Sequence, residues 1–305
     1  MTTATPSTRT APPVSDREET ARRLLASSAR KSYDPMVEVD WAAPVPADKF
    51  GLTPEWSTLY GTTLWDEMTD EQKIELTKHE AASVSSVGLW FEILLMQMLL
   101  RDVYGRDKHS RHVQFALTEV ADECRHSVMF ARAGERLGMP DYGPIPFIHK
   151  AGRLWGGLFS GANAYASVMA AEEILDMMQR DFMKDERVQP VTRTVSKIHV
   201  LEEARHIRFA REEVGRRLQG ASRARLAVER VNTATVVHFV VKSMIHPDVY
   251  ANAGLDKKRA LEAARTNTHH HDMIRTSGSK LMSFLDSVGL VGGPSKMLYK
   301  KVHLL

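Results

Sequence analysis

Cysteine is almost absent: Cys124 is the single one in 305 residues. One thiol excludes an intramolecular disulfide framework and fits a reducing, cytoplasmic setting. Excess charge is missing too, since 41 lysines and arginines oppose 38 acidic residues for a net of +3. No basic block interleaved with aromatics occurs, so nucleic acid is not an expected partner. Charges cut the longest apolar stretches short of a spanning length, and no transmembrane helix is expected. The stretch from Met1 to Lys31 is rich in Thr, Pro, Ser and Arg and has no apolar core of the secretory kind. It is expected to be a disordered tail.

Strand signals are equally scarce, because runs of alternating Val, Ile, Thr and aromatic residues do not recur. From Ser32 to Thr53 the text is extended and proline-punctuated (Pro35, Pro44, Pro46) and is expected to wrap over the surface. Helix signals then take over. Thr69 and Asp70 offer capping side chains for a long helix that runs through Glu92 to about Tyr104 and stops at Gly105. A second is predicted from Ser110 to the Gly138-Met139-Pro140 stop. A third runs from Phe147 through Glu172 to Lys184, with Gly156, Gly157 and Gly161 as points of bending or breaking. A fourth opens at Pro190 and continues to Gly220. Further helices follow from Ser222 to Met244 and from Lys257 to Val288, with a turn at His246-Pro247-Asp248 between them. Long helices with short connections predict an all-α, antiparallel bundle. No shift in composition marks a second domain. The expected organisation is a flexible or surface-wrapping segment over 1–45 and one helical-bundle domain over 46–305.

Two copies of Glu-x-x-His carry the chemistry: Glu123-Cys124-Arg125-His126 and Glu203-Ala204-Arg205-His206. Helix positions three apart share a face, so each phrase offers a carboxylate beside an imidazole. Two such pairs on facing helices, joined by one glutamate from each of two further helices, make a cage for a pair of iron or manganese ions. Glu92 is the lone charge between Val87 and Met96. A buried carboxylate of that kind neutralises or finds a cation. On the third helix both Glu172 and Glu173 follow apolar text. Asp176 lies one turn beyond Glu172, which modestly favours Glu172 as a ligand, with Asp176 orienting a histidine and Glu173 exposed. His199, Glu203 and His206 project from one stripe of the fourth helix. An oxygen-and-nitrogen donor set suits iron or manganese better than structural zinc. Cys124 points away from that stripe and reads as a packing residue, and His269-His270-His271 reads as a surface or loop feature.

These residues resemble the AurF-like family of diiron N-oxygenases, whose best-known member oxidises p-aminobenzoate to p-nitrobenzoate. The resemblance is carried by Phe91-Glu92-Ile93-Leu94, Asp122-Glu123-Cys124-Arg125-His126, Ala171-Glu172 and Val188-Gln189-Pro190. It is completed by the run from His199 to His206, and it spans Asp70 to Arg216. It implies a ferritin-like bundle and the ligand set Glu92, Glu123, His126, Glu172, His199, Glu203 and His206. His199 is the family's additional histidine, and the family's spacing selects Glu172 over Glu173. The implied cofactor is two iron ions, manganese being possible, with O2 as co-substrate and an arylamine or other amine as substrate. Lys280 and Arg275 are the candidates for anchoring a substrate carboxylate.

No flavin or nicotinamide fingerprint is present, so electrons are expected from an external reductase, and a homodimer is the expected assembly. The expected reaction is O2 activation with transfer of oxygen to nitrogen. The alternatives are diiron C–H hydroxylation or desaturation, and ferritin-like iron storage or peroxide detoxification. Tyr165, on the stripe of Glu172, is where a radical-generating subunit would carry its tyrosine, although a structural role is the favoured expectation.

Overall fold

The computed structural model describes residues 16–158 and 161–305, with the backbone alone for 154–158. In chain order, α1 (Arg17–Arg30) and the short α2 (Pro35–Glu38) precede a 3-10 turn at Pro54–Trp56, α3 (Thr63–Glu67) and the long α4 (Asp70–Val103). Next come α5 (Arg111–Arg136), α6 (Pro146–Leu158), α7 (Ala162–Phe182) and α8 (Pro190–Leu218). The C-terminal part is α9 (Arg223–Ser243), α10 (Val249–Asn252), α11 (Lys257–Thr266), α12 (Thr268–Ser277), α13 (Ser279–Ser287) and α14 (Ser295–Lys300). Among the described residues the β pairing is a single isolated bridge, Phe50 with Val188. The chain has an all-α, ferritin-like fold. In its bundle α4 packs on α5, α7 on α8 and α5 on α8, and α9, α12 and α13 lie against α7.

Local chemistry explains most boundaries. Thr69 and Gln72 form a reciprocal capping box at the start of α4. Pro190 occupies the first turn of α8, where its missing N–H costs nothing. Just before it, the buried Gln189 amide donates to the carbonyls of Pro46 and Lys49, both at 2.8 Å. The Val-Gln-Pro phrase is therefore a joint that ties the N-terminal strap to α8. The third predicted helix is two helices. Its break comes at Gly161, whose φ of +88° is a conformation that L side chains rarely adopt; Gly156 and Gly157 stay inside α6. The helix predicted from Lys257 to Val288 is divided as well. Asn267 caps α12 by accepting from the backbone of His269 and His270, while its amide donates to the Thr58 and Tyr60 carbonyls.

The N-terminal expectation needs a correction. Residues 17–30, expected within a disordered tail, form α1, started by Asp16 accepting from Glu19 N at 2.8 Å. Ala21 and Leu24 enter the core, and Arg17 makes a two-pronged ion pair with buried Glu213 of α8, 3.0 Å at each prong. The remainder of that expected tail, residues 1–15, lies outside the described residues. The strap from Ser32 onward does wrap the bundle, but it also inserts Val39, Leu52 and Trp56 into it. In the described part of the chain, α4 alone is long and apolar enough by composition to cross a membrane. This corrects the expectation that charges cut every apolar stretch short of a spanning length; part of the stretch is buried, Glu92 included, while Ile93 and Leu100 are exposed.

Candidate metal centre

Each long helix brings its own side chain to one dry volume. α4 delivers Glu92; α5 delivers Glu119, Glu123 and His126; α7 delivers Glu172; α8 delivers His199, Glu203 and His206. All eight are 4% exposed or less. Potential donor atoms converge within 4.8 Å of one another in four overlapping groups: Glu92–His126–His199, Glu123–His126–Glu203, Glu172–His199–Glu203 and Glu119–Glu123–His206. All seven sequence-predicted residues are thus brought together, and Glu119 is added to them.

Glu123 and Glu203 occupy the middle. Glu123 Oε2 lies 2.8 Å from His126 Nδ1, and its Oε1 lies 2.9 Å from His206 Nδ1. Glu203 sits 3.2 Å from His126 Nδ1, 3.1 Å from His206 Nδ1 and 3.6 Å from His199 Nε2. Glu92 and Glu172 flank His199, at 3.4 and 3.7 Å from its Nε2. One glutamate from each of α4 and α7 and a Glu-x-x-His pair from each of α5 and α8 thus face one another, the helix-by-helix donor pattern of a dinuclear site in a four-helix bundle.

A surrounding layer fixes the imidazoles. His126 Nε2 donates to Glu202 Oε2 at 2.9 Å, and His206 Nε2 donates to Asp122 Oδ2 at 3.2 Å. The residue preceding each Glu-x-x-His glutamate therefore holds the histidine of the other phrase. His199 Nδ1 donates to the Gln179 carbonyl oxygen at 2.7 Å. The outer nitrogens donate away from the centre and each inner nitrogen faces the carboxylates, the side from which a neutral imidazole would ligate a metal. In the metal-free chain burial acts downward on His126 and His206, but those carboxylates outweigh it and raise both well above the ordinary range, so their inner nitrogens hold protons that an ion would displace. Arg205 spans Asp122 and Glu202 at 3.5 and 3.4 Å, and Arg125 pairs with Asp122. Arg205 also donates to the Lys31 carbonyl, and Tyr33 N to Glu202, so the N-terminal strap closes this layer from outside.

Charge separates the two layers. The outer carboxylates have guanidinium partners, whereas none of Glu92, Glu119, Glu123, Glu172 and Glu203 contacts a lysine or arginine among the described residues. Burial, followed by the charges of Glu123, Glu172 and Glu203, pushes the Glu92 carboxyl well above its ordinary range. Glu172 is raised by burial and then by Glu203 and Glu123, and burial likewise raises Glu119. In Glu123, burial and the Glu203 charge act upward, but the His206 and His126 imidazoles outweigh them and hold it at about 2. Burial lowers His199 to about 4, so it is a neutral ligand-type imidazole. Glu92 Oε2, Glu119 Oε2 and Glu172 Oε2 are buried without a hydrogen-bond partner. Carboxylates so placed require protons or cations. Two divalent ions would balance the charges of Glu92, Glu123, Glu172 and Glu203, with the fifth carboxyl, Glu119, held protonated by burial, so the donor set fits a dinuclear centre.

Several expectations from the sequence are corrected. Glu173 is buried, not exposed, and forms a two-pronged pair with Arg211 at 2.6 and 2.7 Å. Asp176 pairs with Arg180 at 2.7 Å and does not orient a histidine; that work falls to Asp122, Glu202 and Gln179. The hint lay in the sequence, since both phrases extend to acidic-Glu-x-Arg-His. Glu119 also had a signal, one turn before Glu123 on the same stripe. Tyr165 donates to Asp102 at 3.1 Å and packs on Phe209, a structural role. Cys124 is exposed, its sulfur 3.4 Å from that of Met96. The three consecutive histidines open α12 rather than a loop: His269 bonds the Glu55 carbonyl and His271 stacks on His303. Arg275 pairs with Asp272, and both Arg275 and Lys280 are exposed.

A largely apolar cavity adjoins the centre at Glu172. It lies between α4, α6, α7 and α9 and encloses about 60 Å³. Trp90, Phe91 and Phe239 supply its aromatic walls.

A four-helix, carboxylate-and-histidine centre with an adjoining apolar cavity defines the class: a ferritin-like bundle protein equipped to bind metal. The chain belongs to the p-aminobenzoate N-oxygenase AurF family, a diiron family, whose pattern it matches over residues 14–289. That match reaches beyond the Asp70 to Arg216 block and takes in α1 and α13. Among individual relatives, the uncharacterized protein Mb0909 of Mycobacterium bovis and the uncharacterized protein Rv0885 of Mycobacterium tuberculosis are each 29% identical over 215 residues. The aligned part is 66% of this chain and spans 61% of those relatives' length.

Proposed function

We propose that this protein is an O2-dependent diiron enzyme that oxygenates an amine nitrogen. The observation that carries the reading is the set of four buried carboxylates without lysine or arginine partners, met by three imidazoles whose inner nitrogens face them. Glu92, Glu123, His126, Glu172, His199, Glu203 and His206 would hold two iron ions, manganese being the alternative. Bound iron would supply reduction of O2 and oxygen transfer. The balanced first step is R–NH2 + O2 + 2 e⁻ + 2 H⁺ → R–NHOH + H2O, with both electrons from an external donor protein. Further rounds carry the nitrogen to nitroso and nitro.

The chain's own residues set the conditions for this chemistry. Asp122, Glu202 and Gln179 hold the imidazole tautomers, and the apolar walls beside Glu172 exclude water and orient the amine toward the centre. We place the catalytic domain at 46–305, with the preceding segment as a strap, in a cytoplasmic homodimer. C–H hydroxylation or desaturation is the second reading, favoured by the same apolar walls.

The test is iron content per chain after anaerobic ferrous loading, followed by mass spectrometry of amine products formed under labelled O2. About two irons per chain, with sharp losses in Glu123→Ala and Glu203→Ala, and labelled N-oxidised product are expected. A folded protein that takes up no iron would end the diiron reading. Product oxidised on carbon alone would replace nitrogen oxygenation with the second reading.

A further inference from the structure

The cavity beside Glu172 differs from one built for an aminobenzoate, and the difference lies in charge. An arylamine bearing a carboxylate needs a cation or a set of donors at the end opposite its nitrogen, because an unpaired buried carboxylate is strongly disfavoured. Among the described residues no lysine, arginine or histidine lines the cavity, His149 being exposed with its ring 6.4 Å from that of Trp90. Its polar side-chain groups are Glu172, itself acidic, Ser167, whose hydroxyl already donates to the Asn163 carbonyl at 2.6 Å, and the single uncharged indole N–H of Trp90. Lys150 and Arg153 of α6 are exposed, and neither lines the cavity. Lys280 and Arg275 also stand outside it.

The walls fit a flat apolar body. Trp90 and Phe91 meet edge to face with ring centroids 4.8 Å apart, and Phe239 of α9 lines the same space. Gly152 lets α6 close down on Trp90: a Cβ at this position would come within 2.3 Å of the indole. With Glu172 at one end and aromatic and aliphatic side chains elsewhere, the cavity has one polar pole.

We propose that the substrate is an uncharged, apolar arylamine, its nitrogen toward Glu172 and its ring between Trp90 and Phe239, and that carboxylated arylamines such as p-aminobenzoate are excluded. This rests on the nitrogen-oxygenase reading above and narrows it. Discrimination comes from desolvation: an isopropyl group leaves water favourably where a carboxylate of the same shape cannot.

The experiment compares 4-isopropylaniline with its near-isostere p-aminobenzoate on the iron-loaded, anaerobic protein by isothermal titration calorimetry. The neutral amine is expected to bind at least thirtyfold more tightly. In Val236→Arg, or the less bulky Val236→Lys, at a half-buried position on the α9 wall, p-aminobenzoate should gain at least tenfold. Equal or tighter binding of p-aminobenzoate to the unaltered protein, or binding of neither compound, overturns the proposal. Addition of O2 and reductant to the same samples separates the two layers of inference. Tight binding of 4-isopropylaniline without N-oxidised product supports the cavity assignment while removing the oxygenase reading. N-oxidation of bound p-aminobenzoate does the reverse.

Discussion

At the scale of single residues, the candidate centre depends as much on what holds the histidines as on the donors themselves. Glu202 and Asp122 accept from the outward nitrogens of His126 and His206. Partners of this kind commonly affect metal affinity by about 10- to 100-fold. Glu202→Gln is expected to weaken ferrous iron binding within that range while leaving helical circular dichroism unchanged; undiminished affinity in a chelator competition would show that Glu202 does not orient the ligand. Glu80 of α4 makes a second prediction, away from the centre. It is 1% exposed and accepts from Thr58 N and Oγ1, yet burial raises its carboxyl from the ordinary 4.5 to about 7. The folded chain therefore holds this proton more tightly than the unfolded one. The stabilisation is complete below pH 4.5 and is lost as pH rises to about 7, a difference of up to about 3 kcal/mol. Glu80→Gln should melt higher than the parent at pH 8 and close to it at pH 4.5. A melting difference independent of pH would refute the assignment.

At the scale of elements, α5 shows a helix whose start is completed from elsewhere in the chain. Ser110 is its N-cap residue but makes no capping bond with its own helix. Glu18 of α1 accepts from the Ser110 hydroxyl, from Arg111 N at 2.6 Å and from His112 N at 3.4 Å. A carboxylate there meets both the unpaired N–H groups and the positive end of the helix. Glu18→Ala should cost about 1 kcal/mol in thermal unfolding, whereas Glu19→Ala, one position on and paired only within α1, should leave the melting temperature unchanged. Equal effects of the two substitutions would deny the cap. The starts of α4 and α8 and the end of α5 were legible in the sequence because their signals are local: Thr69 beside Asp70, Pro190, and the stop after Arg136; the start of α7 was not, since Gly161 read only as a point of bending or breaking within one longer helix. The tail containing α1 was not, since its composition is that of a solvated segment and its order comes from Glu213 and the start of α5.

At the scale of the whole molecule, the bundle brings together five carboxylates that repel one another in a dry volume. A metal-free chain has to protonate some of them, so bound metal should stabilise the fold. Saturation at a hundredfold excess over Kd contributes about 2.7 kcal/mol per site. Ferrous iron is therefore expected to raise the melting temperature of the chelator-treated protein, and an unchanged melting curve with and without iron would count against filling of this centre.

The sequence by itself determined the helical class, most of the long helices and the two Glu-x-x-His pairs, because capping and three-or-four-residue spacing act within one turn of chain; the full set of seven expected ligands, with Glu172 chosen over Glu173, came from the family resemblance. It also contained the doubled acidic-Glu-x-Arg-His phrase, but not which histidine each acidic residue would hold. Only the tertiary structure decided that crossing, along with the recruitment of Glu119, the pairing of Glu173 with Arg211 and the absence of cationic side chains among the described residues lining the cavity. Those features join residues as far apart as Asp122 and His206, or Trp90 and Phe239. Which residues meet across such separations is set by how the helices pack.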